Sequence, residues 1–458
     1  MRKTTKLAIL LAVLAALCLT VCLLSRRQAR QEAVRESGET ILAIDPESVT
    51  SLAWTNESGS FAFRREGDGW VYEGDEAFPV DGEKLTALLE PLEELGAAFT
   101  IEDARDLGQY GLSDPAGSVT VGTESGTYTL TLGDYSQLDA QRYLSLGDGK
   151  VYLVTHDPME EFDAVLRDLI LDDSIPAVAQ AEEITFSGAA DYTAVYDEDG
   201  VSVCGSDVYF SDGRPLDTDR VTNYLDTLSG LTLTDYVTYN ATAEELLAYG
   251  LETPELSVTV RYAGEDGDES FTVHLGRDQA ELQAAEETGD YEAVTAYLRV
   301  GDSRIVYEIP QEDYETLAAA SYDDLRHQKL FTASLSQVTE LTVTLEGETY
   351  TLTHALPESE DEDGKWYYQG EEFDGTDLEN AVNSLRATDF TDRTASGREE
   401  IRLTAKLDRE DIPSLSLTLT RYDGDHCLAA LDGETVAYVK RSQAVDLIEG
   451  LNAVVLTG

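Results

Sequence analysis

The sequence predicts an α+β protein: one N-terminal transmembrane helix followed by repeated modules of antiparallel sheet with covering helices. Three observations predict it. An apolar run from Leu7 to Leu24 lies near the start, a ten-residue segment recurs at a constant offset of 139 positions, and polar and apolar residues alternate through much of the remainder. The chain has 458 residues, 42% of them hydrophobic, and only four cysteines, which sets aside disulfide-scaffold and fully disordered classes. At roughly 100–200 residues per domain its length provides for several cores.

The first element is the apolar run. Broken only by Thr20, it spans roughly 27 Å at about 1.5 Å per residue, against a hydrocarbon core of about 30 Å. A cleaved signal peptide is the rival reading, but its apolar core is typically about 7–15 residues long and ends in a small-residue cleavage site. Here the run ends in Ser25-Arg26-Arg27-Gln28-Ala29-Arg30. Leu17 before Cys18 and Val21 before Cys22 lack the small residue expected ahead of a lipidated cysteine, so both thiols read as apolar membrane residues. Residues 1–36 are therefore expected to form an anchor and juxtamembrane segment. Basic residues flank the run on both sides, so the positive-inside count does not orient it. A long body behind a lone N-terminal anchor does, giving a single-pass cell-membrane protein with a cytoplasmic N-terminus and an extracytoplasmic body.

That body is strongly acidic. The whole chain carries −58, but its first 35 residues hold seven basic side chains against Glu32 alone, a local +6 that leaves −64 on the rest. Such a surface repels phosphate backbones and anionic headgroups, so no nucleic acid partner is expected. The bland reading is that the carboxylates keep an exposed surface soluble.

Repetition then divides the body. Asp106-Leu107-Gly108-Gln109-Tyr110-Gly111-Leu112-Ser113-Asp114-Pro115 recurs as Glu245-Leu246-Leu247-Ala248-Tyr249-Gly250-Leu251-Glu252-Thr253-Pro254. Upstream, Asp81 followed by Leu85, Leu89, Leu92 and Leu95 aligns with Asp217 followed by Val221, Leu225, Leu228 and Leu231, and with Asp374 followed by Leu378, Val382 and Leu385. These spacings predict a helix of about 14 residues with the aspartate as its N-cap. Each helix follows an aromatic strand: Trp70-Val71-Tyr72, Val208-Tyr209-Phe210 or Trp366-Tyr367-Tyr368. Downstream, Leu132-Gly133, Tyr143-Leu144 and Val151-Tyr152 match Leu275-Gly276, Tyr297-Leu298 and Val306-Tyr307. The modules are read as 41–175, 178–331 and 334–458, the third diverging because it lacks the Tyr-Gly-Leu signature. Asp148-Gly149, Asp199-Gly200 and Asp423-Gly424 are expected to close hairpins, and Gln279 to Asp290 and Glu358 to Gly364 read as solvated insertions. Cys204 and Cys427 fall in different modules and are expected to be unpaired buried thiols.

The repeated motif has a physical meaning of its own. Gly111 falls just after a helix end, where glycine enters the left-handed conformation cheaply, with Tyr110 as the C-cap. Leu112 then sits where a Schellman turn places its contact with Leu107, and Pro115 stops the helix from resuming. Tyr249, Gly250, Leu251 and Pro254 repeat the pattern. These eight residues read as structural, with a binding role for the tyrosines as the alternative.

The motif, set between a leucine-faced helix and alternating strands behind an anchor, resembles the bacterial family called domain of unknown function 4340. The module ends Leu166-Arg167-Asp168-Leu169 and Leu325-Arg326-His327-Gln328 fit it as well. The resemblance covers about residues 45–330. It implies a membrane-anchored extracytoplasmic protein, often encoded beside an ABC-2-type exporter and its gliding-motility-like auxiliary protein, and it carries no catalytic residues over.

Chemistry-bearing motifs are scarce. The sequence holds no phosphate-binding Gly-x-x-x-x-Gly-Lys loop, no His-Glu-x-x-His helix and no Gly-x-Ser-x-Gly elbow. His156, His274, His327, His354 and His426 lack ligand spacing, so a zinc site would need a tertiary convergence that spacing does not announce. Ser359-x-Asp361-x-Asp363-Gly364 resembles the start of a calcium loop but has Gly370 where a bidentate glutamate belongs. No catalytic, cofactor-binding or metal-ligating residues are therefore assigned, and no cofactor. The expected function is a non-enzymatic accessory or scaffold of an ABC-2-type transporter, partnering its permease or auxiliary protein. An extracytoplasmic ligand-binding protein for a lipid or envelope precursor, and a carboxylate-dependent envelope hydrolase, stay open as alternatives.

Overall fold

The computed structural model describes residues 38–102, 104–265, 267–356 and 364–457. The expected anchor and the calcium-like loop at Ser359 to Asp363 lie outside them. Among the described residues no helix is long and apolar enough to cross a membrane. The chain parts into two compact units, Met1–Asp173 and Ser174–Gly458.

The first unit is built on one nine-stranded sheet. Its strands are β1 (Glu39–Leu42), β2 (Val49–Asn56), β3 (Gly59–Glu66), β4 (Gly69–Tyr72), β5 (Leu95–Ile101), β6 (Gly117–Thr123), β7 (Gly126–Ser136), β8 (Gln141–Ser145) and β9 (Val151–Val154). All pair antiparallel, in the order β1-β5-β9-β8-β7-β6-β2-β3-β4. Two meanders, β2 to β4 and β6 to β9, are joined where β2 pairs with β6, with Trp54 opposite Val119. Alternation does the sorting: Leu52, Trp54, Val119, Val121, Leu130 and Leu132 are all buried on one face, the period-two pattern of a sheet with one covered side. Trp54 stacks on Phe63 at 5.4 Å between centroids and meets Phe162 edge-on at 5.9 Å.

The second unit contains two more nine-stranded sheets. One comprises β10 (Glu183–Gly188), β11 (Tyr192–Tyr196), β12 (Tyr209–Ser211), β13 (Arg214–Pro215), β14 (Tyr236–Thr238), β15 (Leu256–Ala263), β16 (Asp268–Arg277), β17 (Ala296–Val300) and β18 (Val306–Ile309). The other comprises β19 (Val338–Leu345), β20 (Glu348–Ala355), β21 (Lys365–Tyr368), β22 (Glu371–Phe373), β23 (Asp389–Phe390), β24 (Glu399–Leu407), β25 (Ser414–Arg421), β26 (His426–Leu431) and β27 (Glu434–Lys440). Their orders are β13-β12-β11-β10-β15-β16-β17-β18-β14 and β22-β21-β20-β19-β24-β25-β26-β27-β23. Counted from the first strand of each, these two orders are the same. The first sheet shares them once β1, an extra edge strand, is set aside, and it has no counterpart of β13 or β22. The third sheet keeps the topology even though its sequence lacks the Tyr-Gly-Leu signature, because Val343 opposite Leu403 continues the apolar pairing seen at Phe186 opposite Val258.

The helices follow the apolar spacing with local departures. Asp217 caps the helix Thr218–Ser229, which buries Val221, Tyr224, Leu225 and Leu228. Asp81 caps its counterpart, but the expected long helix is two short pieces, Gly82–Ala87 and Glu90–Glu93. Pro91 in the first turn of the second piece has no N–H to give to the preceding turn, so the helix cannot run through. In the third copy Gly375 takes the cap position, and Asp374, one residue earlier, accepts from the backbone and hydroxyl of Thr376 instead. The segment read as a solvated insertion from Gln279 is a helix, Gln279–Thr288, capped by Asp278. Asp199-Gly200 does not close a tight hairpin. It opens the loop 197–208 between β11 and β12, where the first sheet joins β3 to β4 through Gly67 and Asp68 alone.

Candidate functional site

The repeated motif comes first, since the sequence singles it out. In the first copy Leu107–Tyr110 is a turn of 3-10 helix rather than an α-helix, and Gly111 follows at φ 71°. Gly111 N donates to Gly108 O at 3.2 Å and Leu112 N to Leu107 O at 3.1 Å, the paired bonds of a Schellman turn. In the second copy the helix Ala243–Ala248 ends on Tyr249, Gly250 has φ 69°, and Leu251 N donates to Leu246 O at 2.7 Å. Each turn docks on its own sheet at the Leu-Gly step that recurs with it. Tyr110 packs its ring on Tyr143 at 5.0 Å, and Tyr249 on Tyr297 at 4.6 Å. Leu112 and Leu251 are buried, while Pro115 and Pro254 lie just beyond the turns. These residues are engaged in holding a helix end against a sheet.

The charged cluster that spacing did not announce lies in the second unit. The loop 197–208 carries Cys204 and Asp207, Asp217 sits at the N-cap of Thr218–Ser229, and His327 follows the short helix Tyr322–Leu325. His327 Nε2 lies 2.8 Å from Asp207 Oδ1, and its Nδ1 lies 3.2 Å from Asp217 Oδ2. Carboxylates flank the ring on both sides, so both nitrogens serve as donors and the ring is held as imidazolium. Burial alone would depress its pKa. The hydrogen bonds to Asp207 and Asp217 outweigh that and lift it to about 10. The same bond holds the Asp217 carboxyl below its usual range.

Asp207 is the buried member, with its side chain 2% exposed. Its second oxygen, Oδ2, is buried with no hydrogen-bond partner among the described residues. Cys204 is a free thiol that is only half-buried, unlike the expectation of a buried one; Cys427 is free and fully buried, on β26 of the third sheet. One ligand atom each from Cys204, Asp207 and His327 lies within 4.8 Å of the other two.

The loop is pinned by the third sheet's side of the same unit. Arg409 Nη1 donates to the carbonyl oxygens of Ser202 at 2.8 Å and Val203 at 3.1 Å, and the Val203 side chain packs against the third core. On the other flank, Leu330 N donates to Leu385 O at 3.1 Å and Ala387 N to Gln328 O at 2.8 Å, tying the segment after His327 to the connection between the helix Thr376–Asn383 and β23. The cluster therefore sits where the second and third sheets are stitched together. Cys204 and Asp207 were not legible as site residues, since His327 stands 120 positions from Asp207.

No curated protein and no solved structure matches the chain. Residues 70–185 and 211–406, more than half of the chain, match the family model described as domain of unknown function (DUF4340), and the chain belongs to that family.

Proposed function

We propose that this chain is a non-enzymatic, membrane-anchored extracytoplasmic protein that serves as an accessory or scaffold of an ABC-2-type transporter, held by its N-terminal run with its acidic body outside. The observation that carries the reading is where the repeated residues go: Tyr110-Gly111-Leu112 and Tyr249-Gly250-Leu251 seat helix ends against their sheets. Repeats that are wholly structural suit a protein that presents surface. His327, grouped with the thiol of Cys204 and the carboxylate of Asp207, donates through both ring nitrogens and has no lone pair with which to act as a base toward Cys204. A surface cleft of about 330 Å³ beside the helices Thr376–Asn383 and Arg441–Thr457 is lined by Asp377, Asp446 and Glu449, where a lipid chain would need apolar walls.

The test is cross-linking of the full chain in cells, then detergent extraction and mass spectrometry of what co-purifies. Enrichment of an ABC permease or its auxiliary protein is expected. Recovery of the chain alone, under conditions that retain known membrane complexes, would overturn the reading.

A further inference from the structure

We propose that Cys204, Asp207 and His327 form a binding site for one divalent transition-metal ion, zinc being the best match, and that the ion clamps the loop 197–208 to the segment joining the second and third sheets. The proposal is independent of the transporter reading.

Donor chemistry comes first. A thiolate, an imidazole nitrogen and a carboxylate are the three side-chain ligand types zinc takes, and the thiolate disfavours magnesium and calcium, which select oxygen. Geometry comes second. Bond lengths of about 2.0–2.3 Å set the edges of a zinc tetrahedron at roughly 3.3–3.7 Å. His327 Nε2 and Asp207 Oδ1 now stand 2.8 Å apart, and the three ligand atoms lie within 4.8 Å of one another. Opening the first separation by about half an ångström, and closing the thiol by no more than about one, would seat the ion. Both are within the reach of side-chain rotation.

The independent observation is Asp207 Oδ2. Asp207 Oδ1 is paired with the His327 ring, but a carboxylate oxygen buried as completely as Oδ2 and left without a donor carries a desolvation cost that no hydrogen bond among the described residues offsets. A metal ion gripped by both oxygens of the carboxylate would. Beyond the first ligands, Asp217 already holds His327 through Nδ1 at 3.2 Å, which is the carboxylate–histidine arrangement that orients a metal-bound imidazole. The ion would take the place now held by the proton between Nε2 and Asp207. Cys204 is half-exposed and gives a way in from solvent, with the fourth position left to water.

The site would act on the junction. Cys204 and Asp207 belong to a loop that Arg409, just after β24, and Val203 tie to the third sheet's side, while His327 begins the segment that Gln328 and Leu330 tie to the connection before β23. One ion would bind both attachments.

The experiment uses the full chain, purified in detergent, reduced and stripped with a chelator, with separate portions titrated with Zn²⁺ and with Co²⁺. About one equivalent of zinc is expected, with a thiolate-to-cobalt charge-transfer band in the near ultraviolet. Cys204→Ser, which breaks no ion pair, should abolish the band, and Asp207→Asn should weaken zinc binding at least tenfold. Because Cys18, Cys22 and Cys427 are also present, a band that survives Cys204→Ser overturns the site. So does a folded, reduced chain that retains no zinc at micromolar concentration. If Asp207→Asn fails to fold, the Cys204→Ser comparison still decides.

Discussion

The carbonyl oxygen of Tyr110 sits so close to Gly133 that a methyl group there would stand 2.2 Å from it, and Tyr249 stands over Gly276 in the same way at 2.6 Å. The two halves of the repeated pattern, the Tyr-Gly-Leu turn and the downstream Leu-Gly step, are thus the two sides of one contact.

Gly133→Ala and Gly276→Ala should each destabilise by about 1–3 kcal/mol, as overpacking against backbone does. Gly111→Ala should cost about 1 kcal/mol or more through its positive φ, and the new methyl would also meet the Asp134 carboxylate. Chemical denaturation of the full chain measures all three. Unchanged midpoints for Gly133→Ala would mean the turn does not rest on the sheet in solution.

Arg409→Ala removes the charged donor that holds Ser202 and Val203. Hydrogen bonds from charged groups contribute about 1.5–3 kcal/mol, so amide exchange in the loop 197–208 should quicken about tenfold or more. The Gly205 amide, which donates to Ser202 Oγ at 3.0 Å, is a suitable reporter. Exchange that speeds equally across the third sheet would show a global loss instead.

His274 provides a pH test. Its Nδ1 lies 2.8 Å from Ser257 Oγ, and burial, with Arg299 nearby, pushes its pKa below the ordinary histidine value. The unfolded chain binds that proton more readily, with a pKa of about 6.5, so the neutral ring's contribution is complete above that pH and is lost as pH falls through the depressed value. Stability of wild type relative to His274→Asn should therefore be flat above about pH 6.5 and decline below it. A difference that grows on acidification would reverse the sign and refute the burial account.

The net charge of −58 makes a fourth prediction. Raising sodium chloride from about 10 to about 150 mM shortens the screening length from roughly 30 to 8 Å, so carboxylate repulsion weakens and the thermal midpoint should rise. A fall would mean that surface pairs such as Arg261 with Glu182 outweigh the repulsion.

What could be read from the sequence was local or repeated. The Schellman turns were legible because Gly, Leu and Pro act within six residues of one another, and the alternating strands because one face of each sheet is covered. The break at Pro91 was written in the chain, yet the leucine spacing outvoted it. The third sheet's likeness was legible in its aromatic strand and helix but not beyond them, since topology is kept by apolar pairing that any of several residues satisfies, whereas the Tyr-Gly-Leu turn needs particular ones. The Cys204, Asp207 and His327 cluster was illegible for a different reason. It is made by an enlarged loop meeting a module end, and no periodicity records such a meeting.

In all three sheets the central seam joins strands that synthesis delivers far apart, Trp54 with Val119, Phe186 with Val258 and Val343 with Leu403. Each first meander must therefore wait, one edge bare, for about sixty to seventy residues before its partner arrives, a delay that non-local pairing always imposes. Chain release at a boundary between sheets leaves finished units. Release inside one leaves an open ribbon with nothing to close it but another copy of itself, so premature termination should give aggregates whose size depends on where in the repeat the chain stopped.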